Sequence, residues 1–436
     1  MLDALEPPLT TPDAGPPAAA PSLRAKWVIP AHILASVLIQ STSMATIMIM
    51  PVLARKRFGA GDWWTLVITA APTVFFSLSI FWNDLFKRRS FGTYLLIYWL
   101  VASAPGLLVG FSSDYLSLLI PYLIMCVGGA GLHPAAGDLL KSLYPDKIRG
   151  RIYSTVWGCS MFVGAFGGLG MGRWLDANHD AYRLIFPAAA GMQLLGVLVY
   201  IWLSRVSGHG GARTHDGTVD NRSMWTRVVE PIGHAKEVLR DDPIFARYEA
   251  GFMTYGVGWM ICYALLPILV TQPELHLNYE TIAESTQMAY WLAMTAMIVP
   301  AGMLMDRIGA VRCTGISFLL LTIYPIGLLL SRDAKDLLVT SVLYGTVHSG
   351  ASVGWMLGPM ALAPSKEKVP QYVAIHATLV GIRGKVFQFA GIGLYKLTHS
   401  FTLPFLIAAA ALVWSAWQMW RLDAKMRERS NASKPG

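Results

Sequence analysis

Between two apolar runs the chain reads Gly302-Met303-Leu304-Met305-Asp306-Arg307-Ile308-Gly309-Ala310-Val311-Arg312. The run before it, residues 284–305, and the run after it, 313–331, each reach the ~20 residues that carry a helix across about 30 Å of hydrocarbon. What lies between is a short turn. Its glycines allow close helix approach, Asp306 is placed to cap the following helix, and Arg307 and Arg312 belong on the side where cations collect. Outward from this turn the same alternation recurs. Spans are expected over about 27–53, 63–83, 90–111, 115–140, 152–172, 184–204, 246–270, 284–305, 313–331, 337–362, 371–395 and 402–421. The eleventh includes Arg383 and Lys385, because a helix begun after Lys385 would be too short to cross before Lys396.

Composition agrees with that alternation. Of 436 residues, 54% are hydrophobic and 14% charged, against about 25% charged in soluble domains. The shortage excludes a disordered chain, a secreted disulfide scaffold and an ordinary cytosolic enzyme. Cys126, Cys159, Cys262 and Cys313 fall in or beside apolar runs, without CxxC or histidine spacing, so they are expected as buried apolar groups. Neither a metal site nor a cofactor is expected.

The polar stretches divide the chain. Residues 1–26 hold six prolines and are expected as a disordered cytoplasmic tail. Two halves of nearly equal length, 27–204 and 245–421, flank a cytoplasmic loop at 205–244, and 422–436 is a second tail. Equal halves suggest internal duplication, with a binding site at their interface. Within the loop, Trp225 to Arg240 can form an amphipathic surface helix. With both termini cytoplasmic, 25 of the 35 basic residues fall inside, 8 outside and 2 within the membrane. The net charge of +9 therefore reads as topology in a plasma (inner) membrane, with the lipid bilayer as partner and no nucleic acid.

The turn at Gly302–Arg312 resembles the loop signature of the major facilitator superfamily, Gly-x-x-x-Asp-Arg-x-Gly-x-x-Arg. At the matching loop of the first half stands Asp84-Leu85-Phe86-Lys87-Arg88-Arg89, without the glycines. Asp146-Lys147-Ile148-Arg149-Gly150-Arg151 is similar to the family's basic loop before the fifth helix, and Tyr182-Arg183-Leu184-Ile185-Phe186 to its opening of the sixth. Gly164-Ala165-Phe166-Gly167-Gly168 is similar to the antiporter signature, with alanine where proline is usual. The resemblance implies an all-α polytopic membrane protein, with 12 transmembrane helices in two pseudo-symmetric six-helix bundles. It also implies secondary transport of a small organic solute by rocker-switch alternating access. Asp84, Arg88, Arg89, Arg149, Arg151, Gly302, Asp306, Arg307, Gly309 and Arg312 become the conformational-gate residues.

If the resemblance holds, helices one, four, seven and ten line the path, aided by two, five, eight and eleven. Ionisable groups there are costly and are functional candidates. Arg383 leads, as a cationic anchor for an anionic group or as a structural arginine held by backbone carbonyls or by an acid such as Glu249. His376 lies two turns earlier on the same face, while Lys385 points elsewhere. His133 and His348 occupy corresponding helices and can carry a coupling H+. Gln40 and Thr42 in span one, Tyr255 and Trp259 in span seven, and Tyr290 in span eight complete the candidates. No acid lies deep in a span, with Asp138 and Glu249 near inner ends, and no phosphate loop or catalytic triad stands out, so the protein is read as no enzyme. The expectation is a monomeric carrier with a slight lean to an anion. Proton-coupled efflux of amphipathic compounds is one alternative. A non-transporting receptor or scaffold with a transporter fold is the other.

Overall fold

A computed structural model describes residues 25–76, 78–144, 146–206, 235–365 and 368–432. The proline-rich tail up to residue 24 and most of the 205–244 loop lie outside the described residues. Of the amphipathic helix expected over 225–240, residues 235–241 are described and helical.

The described chain is helix after helix, because apolar runs at membrane length leave the backbone no partner but itself. We label α1 Trp27–Phe58, α2 in two pieces (Asp62–Phe76 and Ser79–Arg88), α3 Phe91–Val109 and α4 Tyr115–Leu140. Then follow α5 Asp146–Ala177, α6 Tyr182–Val206, α7 Pro243–Leu269, α8 Tyr279–Ile308 and α9 Ala310–Leu330. Last come α10 Ala334–Leu362, α11 Val369–Thr398 and α12 Thr402–Ala432. Among the described residues eight helices are long and apolar enough to cross a membrane: α1, α3, α4, α6, α7, α8, α9 and α12. The sequence alone expects twelve spans. Three of the remaining four, α2, α5 and α11, are helices that pack across the molecule, where a polar face need not meet lipid. Arg383 and Lys385 do sit inside one unbroken helix, α11.

Two groups of helices are visible in the packing. In the first, α1 lies against α5 and α6, and α3 against α4 and α6; in the second, α7 lies against α11 and α12, and α10 against α8 and α9. Between them α2 packs on α11 and α5 on α8. Advancing each label by six turns one of these pairs into the other, which is what a twofold relation between two six-helix bundles requires. Glycine makes the second pairing close. A Cβ on Gly172 would come within 2.8 Å of the Tyr279 carbonyl oxygen, and one on Gly168 within 2.6 Å of Gln287 Oε1. Both α1 and α8 contain a π-turn, over Val37–Ser41 and Ala283–Met288; such bulges tend to mark functional stretches.

Candidate functional site

A cavity of about 300 Å³ lies between the two groups. From α1 come Met44, Ile47, Met48 and Pro51, residues spaced three and four apart so that one helix face points inward. Thr69 on α2 faces them. From the other group, α7 supplies Trp259 and Tyr263, α8 supplies Thr286, Gln287, Tyr290 and Trp291, and α10 supplies Ser341 and Tyr344. The lining is apolar and aromatic with a few hydroxyl and amide groups, the usual make-up of a small-molecule site. Thr286 and Gln287 lie in the α8 π-turn, and the space that Gly168 leaves on α5 accommodates the Gln287 amide.

Behind the aromatic wall stands His348 of α10. Tyr255 Oη is 2.8 Å from its Nε2 and Tyr290 Oη 2.7 Å from its Nδ1. A neutral imidazole satisfies both: its N–H donates to one phenol while the other phenol donates to the bare nitrogen. Tyr344 stacks on the same ring at 5.0 Å and takes a hydrogen bond from Trp259 Nε1. Four candidates, Tyr255, Trp259, Tyr290 and His348, thus form one cluster, and Tyr290 and Trp259 reach the cavity. Tyr344, four residues before His348, was readable as its neighbour from that spacing, yet aromatic residues recur too often in this chain to single it out.

Arg383 lies further back, 4% exposed. Its Nη1 donates to the Phe252 carbonyl at 2.6 Å, and its guanidinium stands 5.3 Å from the Tyr255 ring centre and 6.0 Å from that of Trp259. Gly256 makes this possible: a Cβ there would overlap the arginine side chain. Nε is buried without a hydrogen-bond partner. Arg383 is therefore held by a backbone carbonyl and π faces, and it stands behind the cavity lining.

His376 does share that side of α11. Its Nδ1–H donates to both Glu249 oxygens, at 2.9 and 3.0 Å, and the two residues are 1% and 2% exposed. Glu249, expected near the inner end of its helix, is the seventh residue of α7, and it is buried there against His376 of α11.

The other candidates lie apart. Thr42 Oγ1 bonds back to the carbonyls of Leu38 and Ile39 within its own helix, and Gln40, with Oε1 buried and unpartnered, is outside the cavity lining. His133 is exposed, edge-on to Phe76. Lys385 is half-buried. In the gate loops Arg88, Arg89, Asp306, Arg307 and Arg312 are exposed; the side chains of Asp84, Arg149 and Arg151 lie outside the described residues. Gly302 faces open space. One expectation is corrected: Asp306 does not cap α9, because α8 continues to Ile308 and the cap position falls on Gly309 without a side-chain bond. Gly309 takes φ +87°, a region that only glycine enters readily.

At one end of the cavity the two groups are tied together. Lys396 meets Asp62 at 2.5 Å, and Asp62 also holds Arg55 at 2.7 Å. Arg55 Nε donates to Thr271 Oγ1, Lys56 to the Leu277 carbonyl, and Arg173 to Glu280 at 2.6 Å. Asp176 at the end of α5 accepts the backbone N–H groups of Tyr279 and Glu280, so a residue of one group caps a helix of the other. These residues were missed, since nothing in the sequence pairs loops so far apart.

The chain from residue 31 to 382 matches the family model described as Major Facilitator Superfamily. No curated protein matches it. Among solved structures it is similar to a POT family transporter in complex with 5-aminolevulinic acid, at TM-score 0.73 and 12% identity, over 91% of this chain and 96% of that one. Another structure of a POT family transporter, in complex with a thioalcohol-conjugated peptide, gives 0.69 and 12% over 91% and 96%. A bacterial homolog of the human lysosomal transporter Spinster gives 0.57 and 14% over 93% and 95%. At such identities these structures establish the fold alone. With the family match over most of its length and its apolar helices, the chain is a multi-pass integral membrane protein and belongs to the major facilitator superfamily.

Proposed function

We propose that the protein is a secondary transporter that moves a small organic solute by alternating access, with the cavity between the two helix groups as the binding site. One observation carries this reading: both groups line the same cavity, so rocking one against the other carries the site from side to side. The lining favours a solute with an apolar or aromatic body, packed against Met44, Met48, Trp259 and Trp291. Its polar groups would bond to Thr69, Gln287 or Ser341. In the orientation read from charge, both termini are cytoplasmic and the tied end faces outward in an inner membrane; the carrier is read as a monomer.

The test begins with thermal-shift screening of the purified protein against a metabolite library, since any ligand of the folded form raises its apparent stability. Hits go to counterflow in proteoliposomes. Saturable exchange of a stabilising compound supports transport, whereas a ligand that stabilises but never exchanges favours the receptor or scaffold reading. An anionic solute is the second reading, favoured by the unpartnered Nε of Arg383. Arg383→Ala then abolishes uptake with surface expression intact, and unaltered uptake sinks the anion anchor.

A further inference from the structure

A carboxylate and an imidazole that are both sealed from solvent need a reason to be there. Glu249 and His376 Nδ1 share a hydrogen bond, and His376 Nε2 is buried without a hydrogen-bond partner; in the neutral ring that donates from Nδ1, the lone pair lies on Nε2. Around the pair stand the rings of Phe252 and Trp355, which offer no hydrogen bond to that lone pair. The titratable and charged groups facing it are Tyr248 on α7, Cys313 behind Tyr248 on α9, and Arg383 two turns along α11, close enough for its charge to be felt at Glu249. Across α10 stands His348, which is already satisfied at both nitrogens by Tyr255 and Tyr290. Toward α12, α7 presents Thr254, bonded to the neutral Gln418.

The geometry points to the Glu249–His376 pair as the site that takes up a coupling proton. The incoming H+ bonds to His376 Nε2, giving an imidazolium whose counter-charge is Glu249. The bond that breaks is an O–H bond of the hydronium ion that delivers the proton and leaves as water; no electron moves. With the ring neutral, Glu249 and Arg383 balance one another; with the ring charged, the trio holds one positive charge in excess. A charge excess in a dry site is unfavourable, so the helices gain by hydrating the site or by bringing an anionic group to Arg383. Arg383 packs on Tyr255, Tyr255 bonds His348, and His348 bonds Tyr290 at the cavity, so a change at the pair has a packed route to the solute.

This inference rests on the transporter reading, but its test does not require the solute. Protein with 15N-labelled histidine in lipid nanodiscs is titrated by NMR between about pH 8 and 5, the range in which imidazole changes charge. His376→Asn removes one titrating imidazole, and Glu249→Gln leaves the ring present but weakens its proton binding at least about tenfold, through loss of the counter-charge. In parallel, nitroxides at Ser113→Cys and Lys335→Cys report the spacing of the two groups. The distance distribution shifts with pH in the parent and stays fixed in His376→Asn. A His376 ring that remains neutral at about pH 5, or a pH-dependent spacing that survives His376→Asn, overturns the inference. Should His376→Asn fail to fold, the Glu249→Gln titration and the parent's own spacing decide: an unweakened ring or an invariant distance is equally fatal. Solute exchange in a protein without a titrating His376 keeps the transporter reading and rejects this one, and a titrating His376 in a protein that moves nothing does the reverse.

Discussion

Adding one methyl group to Gly256 would put a carbon where the aliphatic stem of Arg383 runs. The arginine is walled in by Phe252, Tyr255 and Trp259, so it has nowhere to retreat. Overpacking of this kind costs about 1–3 kcal/mol, and here it also disturbs the bond to the Phe252 carbonyl. Gly256→Ala is expected to lower the melting temperature of the purified protein. Combined with Arg383→Ala the loss shrinks, because the space is then free; strictly additive melting shifts would mean that the two residues do not share it. Arg383 itself was legible in the sequence, since a cation inside a span announces itself. Its glycine partner was not. Forty glycines offer no hint of which one an arginine will cross.

The α5 helix presents Gly164, Gly168 and Gly172 at spacing four, a stripe that sequence alone marks as a close-packing face without saying against what. The answer is α1 for Gly164 and α8 for the other two. Gly170, on the same helix, faces open space. Gly172→Ala should therefore push α5 and α8 apart and reduce thermal stability by about 1–3 kcal/mol. Gly170→Ala is expected to be neutral or to stabilise by up to about 1 kcal/mol, by removing backbone freedom from the unfolded chain. Equal effects at the two positions would count against the packing described. Element boundaries show the limit of periodicity. Asp306 looked like a cap because it opens a polar turn, yet main-chain bonding carried α8 two residues further and left the cap to Gly309. Burial is equally out of reach: Glu249 lies near the end of α7 as its position suggests, but what covers it is a residue of another helix, His376 of α11, which no reading of one helix supplies.

For the molecule as a whole, the tied end predicts how pH biases the two helix groups. Burial works against the charge of Asp62, but the ammonium of Lys396 and the guanidinium of Arg55 outweigh it and hold the carboxyl below the ordinary carboxylate range. A carboxyl depressed in the closed state stabilises that state fully above its ordinary value, near ~3.9, and the contribution is lost as pH falls through the depressed value. The contribution of the Asp62 ion pairs to closure is expected to hold from neutral pH down to about 4 and to be lost in stronger acid. In Asp62→Asn the end should be looser already at neutral pH and insensitive to that acid step. Nitroxide spacing across the end measures both, and an Asp62→Asn protein with the parent's acid response would refute the assignment. Equal halves and a twofold pairing of helices were foreseeable from two runs of similar length; this latch was not, for it joins residues more than 200 positions apart.

Under the proposed alternating access, the cross-group cap made by Asp176 bears on how often the molecule can cycle. When the end opens, the carboxylate and the two amide N–H groups it held are returned to water, which bonds to each of them. The net worth of such a bond to a charged acceptor is about 1.5–3 kcal/mol, less than its strength in isolation. An oily plug at the same place would resist hydration and lock the molecule in one shape. A door fastened by groups that water can also hold swings at ordinary thermal energies, and it returns to the same geometry each time because direction, as well as attraction, is written into the bonds.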